Sequence, residues 1–159
     1  MTASTAMHAQ YARESLEQVR AAGIERLLKR HWAEIAHFKD IPLAVDWPAY
    51  EAAEGNGGLR LFTVRMVEEL LGYACYLVRA NPHYLSSVQA VQDVLFIAPE
   101  CRKARLGAEL LRYSEGELAG EGVEVIYQHS KVAHPMDALL RRLGYEQIET
   151  TWAKRLNRS

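Results

Sequence analysis

A chain of 159 residues has room for one core that buries roughly 70% of the unfolded surface, and little room for a second. With 49% hydrophobic and 25% charged residues, it has the makeup of a globular domain, and no apolar run approaches the ~20 residues of a membrane span. A net charge of -1 excludes broad attraction to nucleic acid or to membrane surfaces, so any anion site has to be local.

Residues 1–10 are small and polar without sustained periodicity and are expected to form a flexible tail, with one folded domain over 11–159. From Tyr11 to Phe38 the apolar residues Leu16, Val19, Leu27, Leu28, Ile35 and Phe38 recur at helical spacing, and Gly23 predicts two helical pieces. His31 and His37 fall outside the i,i+4 spacing of a helical metal pair, so no metal site is predicted and both are read as packing or surface residues. Asp46-Trp47-Pro48 reads as a cap with an early proline opening a short helix, and Gly55-Asn56-Gly57-Gly58 as a turn.

Leu59–Val67 and Leu71–Val78 are expected to pair as an antiparallel hairpin, with Gly72 marking a bulge or a close approach. Asn81–Tyr84 is a loop. Val88–Ile97 then reads as a buried strand rich in Val, Leu, Ile and Phe, ended by Pro99. Arg102-Lys103-Ala104-Arg105-Leu106-Gly107-Ala108 turns into a helix that carries Leu106, Leu110, Leu111, Tyr113 and Leu118 largely on one side.

Free N–H groups at that helix start, the macrodipole and three cationic side chains favour an anion, and a phosphate-bearing ligand is the natural candidate. Gly107 strengthens this, because glycine in a helix costs roughly 1 kcal/mol and usually needs a packing or close-approach reason. Gly120 and Gly122 close the helix, and Val123–Tyr127 supplies a second apolar strand, parallel to the first. After His129 and His134, Pro135 opens a helix over Met136–Leu143 that Gly144 stops. Tyr145–Thr150 and Thr151–Leu156 are expected as two final strands. No strand is evident before Tyr11. The sum is an α/β fold with a mixed, mostly antiparallel sheet, a central parallel pair and flanking helices. Cys75 and Cys101 are the only cysteines. A buried position for Cys75 and no recognisable secretory signal suggest a reducing cytoplasm, while Cys101 beside Arg102 and Lys103 could have a lowered thiol pKa.

The turn from Arg102 to Ala108 resembles the acyl-CoA signature of the GNAT superfamily of N-acetyltransferases: Arg or Gln, two residues, Gly, one residue, then Gly or Ala. Arg102 and Gly107 occupy the outer positions, and Arg105 stands at the middle glycine, where a helical φ would tolerate it. Ile97-Ala98-Pro99-Glu100 before the turn and Leu143-Gly144-Tyr145 after it fit as well. The run from His83-Tyr84 through Gln89–Asp93 and the ending Ala153–Leu156 are similar to a branch found in phage genomes.

The resemblance implies acetyl-CoA as cosubstrate, held by Phe96, Ile97, Arg102, Lys103, Ala104, Arg105, Leu106, Gly107 and Ala108, with its arm hydrogen-bonded along the strand ending at Ile97. It implies an amine acceptor, small molecule or protein, attacking directly in a ternary complex, and Trp47, Tyr50, His83 and Tyr84 as candidates for binding it. Homodimers are a family expectation.

An amine with a pKa near 10.4 must lose a proton before it attacks. Asp93 is the one carboxylate in the central strand, and must be either functional or tied to a partner. His129 and His134 lie just past the neighbouring strand. Leu140 stands where many GNAT enzymes have a tyrosine acid, leaving that role open, with Tyr145, Tyr127 and Tyr84 as substitutes. A family fold that keeps acetyl-CoA binding without turnover is the alternative. Nucleic-acid binding is disfavoured by the scarcity of cations and the absence of an aromatic platform.

Overall fold

The computed structural model describes residues 8–156. Its elements in chain order are β1 (Ala9–Glu14), α1 (Leu16–Ala21), α2 (Ile24–Ile35), α3 (Trp47–Gly55), β2 (Leu59–Met66), β3 (Glu69–Asn81), β4 (Tyr84–Ile97), a 3-10 helix (Pro99–Ala104), α4 (Leu106–Gly120), β5 (Val125–Tyr127) and α5 (Asp137–Arg142). The strands form one sheet in the order β1-β2-β3-β4-β5; only β4 and β5 are parallel.

Local chemistry starts the first three helices. Ser15 and Gln18 form a reciprocal capping box on α1, and Gly23, at φ +78, separates α1 from α2 in a left-handed conformation open to glycine. Asp46 accepts from the Ala49 N–H at the start of α3. The sheet is buried on both faces. Leu16, Val19, Leu27, Tyr73 and Phe96 pack on the α1–α2 side, while Phe62, Val64, Tyr76, Leu110 and Leu118 pack on the α4 side.

Three differences from the sequence reading have physical causes. Residues 9–14, expected as tail and helix, are β1, which pairs with β2 from Ala9↔Met66 to Glu14↔Leu61. Its pairing partner lies some fifty residues away, beyond the reach of local periodicity. β5 is shorter than expected, because the Val123 N–H bonds to the Leu118 carbonyl at the end of α4. The two final strands do not form: residues 145–156 have no regular structure, so the parallel pair lies at one end of the sheet.

Gly72 is a close-approach glycine beside a register shift in the β2–β3 pairing. A Cβ there would sit 2.6 Å from the Phe96 carbonyl oxygen and 2.4 Å from Ile97 Cδ1. The carbonyl belongs to a paired strand and cannot retreat cheaply. Gly72→Ala is therefore expected to destabilise the protein by about 1–3 kcal/mol, measured by chemical denaturation.

Candidate active site

β4 and β5 pair over only three positions, Gln89↔Val125 to Val91↔Tyr127. Beyond them β4 continues to Ile97 while β5 turns away, and the Gln92 side-chain oxygen accepts the His129 N–H at 3.0 Å, fixing the point of divergence. The split opens a cleft of about 910 Å³ between α2, the end of β4, the start of α4 and residues 129–142.

Where β3 pairs with β4, Cys75 faces Val94 but Tyr76 faces Gln92, so Asp93 is the extra residue of a β-bulge. A bulge re-aims a side chain. Asp93 is exposed at the cleft instead of buried in a strand, and its Oδ2 accepts the Tyr50 hydroxyl at 2.5 Å. Burial, then this carboxylate, push the Tyr50 phenol well above its ordinary range.

At the other end of the cleft, Arg105 has φ +61 and caps α4. This corrects the expected helical φ: the arginine occupies a left-handed conformation that suits glycine, at a cost of about 1 kcal/mol. The first N–H groups of α4 have no partner one turn back. Arg105, Gly107, Ala108 and Arg112 line the cleft there, with Lys131 and Arg142 from the opposite wall. Among the described residues, none of these four cations has a carboxylate within ion-pair distance. A Cβ on Gly107 would meet only Ile97 Cγ1 at an ordinary 3.6 Å. Internal packing therefore does not require a glycine at this position.

Arg102 is engaged within the protein. Its Nε donates to the Ile97 carbonyl at 3.0 Å, its Nη2 to Glu34 at 2.7 Å, and its guanidinium lies 5.5 Å from the Phe96 ring centroid. The Arg102 guanidinium holds the Glu34 carboxyl below its usual range, and the other Glu34 oxygen lies 3.4 Å from His134 Nδ1. Glu34 thus joins α2, the 3-10 helix and the 131–134 turn around the cleft. Nothing in the sequence singled it out, because its partners lie 68 and 100 positions away.

His31 is buried beneath the cleft, with Nδ1 2.9 Å from the Tyr73 hydroxyl and its ring stacked on Phe96 at 4.9 Å. Its position one turn after Leu27 was the available signal that it belonged to the apolar face. Burial lowers its pKa from 6.5 to about 4. Between these values the unfolded chain holds a proton that the folded chain does not, so stability is full above pH 6.5 and falls as the pH drops toward 4. The loss should reach roughly 3 kcal/mol. Denaturation from pH 7 to 4 should show this slope in the wild type and lose most of it in His31→Gln.

The structure brings Asp93, Phe96, Ile97, Arg102, Arg105, Gly107, Ala108, His129 and His134 to one cleft. Leu106 is buried in the core beneath it, and Lys103 is exposed outside it. The side chain of Ala104 lies outside the described residues. Tyr50 reaches the cleft only through Asp93, while Trp47 is partly buried with the Arg20 guanidinium 4.6 Å above its ring. His83 and Tyr84 are exposed at the tip of the β3–β4 hairpin, away from the cleft.

Tyr145 also lies outside the cleft lining, where its hydroxyl donates to Glu115 and accepts from Gln128. The Cys101 thiol is raised by burial and by Glu100, against the expected lowering. Among the described residues no group of three His, Cys, Asp or Glu could hold a metal ion, and no helix is long and apolar enough to cross a membrane.

Residues 14–145 match the family model described as "Acetyltransferase (GNAT) family". No curated protein matches the sequence. Among solved structures, a protein described as a predicted acetyltransferase with acetyl-CoA, from Clostridium acetobutylicum, superposes with a TM-score of 0.71 at 10% identity, covering 94% of this chain and 97% of that one. Glucosamine-6-phosphate N-acetyltransferase from Arabidopsis thaliana gives a TM-score of 0.70 at 8% identity, covering 94% and 99%. An aminoglycoside acetyltransferase from an uncultured soil metagenomic sample, in complex with sisomicin, gives 0.70 at 11% identity, covering 92% and 96%. At these identities the superpositions establish the shared fold.

Proposed function

The chain belongs to the acetyltransferase (GNAT) family, and from that membership we propose that it moves an acetyl group from acetyl-CoA to an amine, by direct attack in a ternary complex, within the cleft between β4 and β5. The observation that carries this reading is the split itself. Among the described residues, β4 after Val91 has a strand neighbour only in β3, and the helix N-terminus of α4 stands at the far end of the gap.

Acetyl-CoA would supply the acetyl group as a thioester. Around it, the residues bind, orient and move protons. The N–H groups of the first turn of α4, with Arg105 and Arg112, suit a pyrophosphate, and the β4 edge from Asp93 to Ile97 suits an amide-bearing arm that pairs like an added strand. A backbone N–H near Phe96 or Ile97 would donate to the carbonyl oxygen as negative charge builds there. Asp93, with one oxygen on the Tyr50 hydroxyl and the other available, is the preferred acceptor for the amine's proton. His129 is the alternative at the same point of the cleft; His134 is already drawn to Glu34.

The similar folds named for an aminoglycoside and for glucosamine-6-phosphate support a small-molecule amine as acceptor. The free Cys75 and Cys101 suit a reducing compartment such as the cytoplasm. A second reading, a module that binds acetyl-CoA without turnover, rests on Leu140, a buried aliphatic residue where many relatives carry a tyrosine acid.

Calorimetric titration tests both. Acetyl-CoA should bind with micromolar affinity, worth about 8 kcal/mol, CoA lacking its 3′-phosphate more weakly, and ATP not at all. Amine-dependent thiol release then supports the enzyme, and its absence across a broad amine panel supports the module. No binding at millimolar acetyl-CoA overturns both readings.

A further inference from the structure

His31 is only 5% exposed, and what it exposes lies in the cleft that it helps to line. The Tyr73 hydroxyl is fully buried and has His31 Nδ1 as its one hydrogen-bonding partner among the described residues. It must therefore donate: were Nδ1 protonated, the hydroxyl's own proton would be buried without an acceptor. Tyr73 thus fixes the tautomer, and the ring proton sits on Nε2. Nε2 has no partner among the described residues, yet it is not sealed in, since the buried side-chain atom left without a partner is Gln128 Oε1. A neutral N–H donor on a buried ring is therefore turned to the cleft with no protein group to satisfy it.

A cation stands at the same end. Glu34 follows His31 by three residues on α2 and shares its face. His134 ties the 131–134 turn to Glu34, and the turn is closed by the His134 N–H on the Lys131 carbonyl at 3.1 Å. Lys131 is thereby brought toward His31. Glu34, Lys131 and Arg102 are the charges that act on the His31 ring. Glu34 and Arg102 neutralise one another at 2.7 Å, which leaves the Lys131 ammonium as the uncompensated charge. Asp93 is on this side of the cleft too, near enough for its carboxylate to act on the Tyr73 hydroxyl.

We propose that His31 Nε2 and Lys131 Nζ form a subsite for an anionic oxygen, of a carboxylate or a phosphate, carried by the acceptor amine whose proton passes to Asp93. The inference rests on the acetyl-transfer reading and names its substrate class: an amine that also bears a negative group. The two donors have different tasks. The imidazole, held by Tyr73 and by its stack on Phe96 at 4.9 Å, gives direction at little entropic cost. The exposed lysine supplies charge, and a hydrogen bond with an ionised partner is roughly twice as strong as a neutral one. An acceptor with a second ammonium would meet Lys131 instead, and like charges brought together cost affinity. The pyrophosphate of acetyl-CoA has its own cations, Arg105 and Arg112, at the start of α4.

Matched short amines test this: ethanolamine, phosphoethanolamine, β-alanine and ethylenediamine, each assayed by acetyl-CoA-dependent thiol release. Phosphoethanolamine or β-alanine should exceed ethanolamine in kcat/KM by about tenfold, the worth of a hydrogen bond to a charged group, and ethylenediamine should be the poorest. The better of the two anionic amines tells phosphate from carboxylate. Lys131 is exposed, so Lys131→Glu should fold normally. It should raise KM for the anionic amines about tenfold relative to ethanolamine and turn the preference toward ethylenediamine. His31→Gln, whose amide nitrogen can stand near the Nε2 position, should keep most of the anion preference that His31→Leu loses. Turnover without preference for the anionic amines overturns the subsite and leaves the transfer reading intact. So does a Lys131→Glu enzyme with the wild-type order of substrates, or one changed only in acetyl-CoA affinity. No thiol release with this set or with a broad amine panel overturns the transfer reading, and the subsite with it.

Discussion

Asp93→Asn should lower kcat by about 10²–10⁴-fold, the range that a positioned proton acceptor contributes, while acetyl-CoA affinity stays close to wild type. The amide cannot take a proton but keeps the size and hydrogen-bonding capacity that hold the bulge and Tyr50. Asp93 is exposed, so the substitution strands no buried charge and should leave stability nearly unchanged. Tyr50→Phe separates two roles for the carboxylate. If Asp93 serves only to fix Tyr50, removing the phenol that donates to it should cost as much as Asp93→Asn. If it takes the acceptor's proton, Tyr50→Phe should cost far less. Steady-state kinetics with a saturating amine provide the comparison, and unchanged turnover in Asp93→Asn removes Asp93 as the base, leaving His129 to be tested.

Gly107→Asp should weaken acetyl-CoA binding about a hundredfold or more, because a carboxylate in the first turn of α4 would face a polyanion, and like-charge contact costs several kcal/mol. The same carboxylate is favourable to the helix itself, where an acid near the N-terminus stabilises the macrodipole by about 0.3–1 kcal/mol. Lost binding with intact folding is therefore the expected pattern, read by calorimetry alongside thermal unfolding. Gly107→Ala is the control: its Cβ meets only an ordinary 3.6 Å contact, and affinity should stay near wild type. If Gly107→Asp binds acetyl-CoA normally, the pyrophosphate does not lie at the start of α4. Arg102→Ala would be harder to interpret, since it also breaks the bonds to Glu34 and the Ile97 carbonyl.

Much of the scaffold follows from spacing alone. The break at Gly23, the cap at Asp46, the hairpin of β2 and β3, the apolar β4 and the amphipathic α4 are each set by neighbours within about four residues, where side-chain periodicity and backbone preference act directly. The turn from Arg102 to Ala108, in both its chemistry and its family resemblance, lies within that range too.

What the sequence left open depends on partners distant in the chain. β1 exists because β2 offers it an edge. Asp93 reaches the cleft because β3 and β4 slip register by one residue, and no pattern within β4 reveals a slip that takes two strands to define. Arg102 and His134 meet at Glu34 only once α2 has packed against the sheet. Residues 145–156 show the converse limit. Their alternation is that of strands, as the sequence indicates, but pairing needs an edge in register, and within this chain they have none. Local sequence determined which segments could be helix or strand. Tertiary packing decided which of them paired, because strand partnership and side-chain contact are fixed by the burial and hydrogen bonding of distant segments against one another.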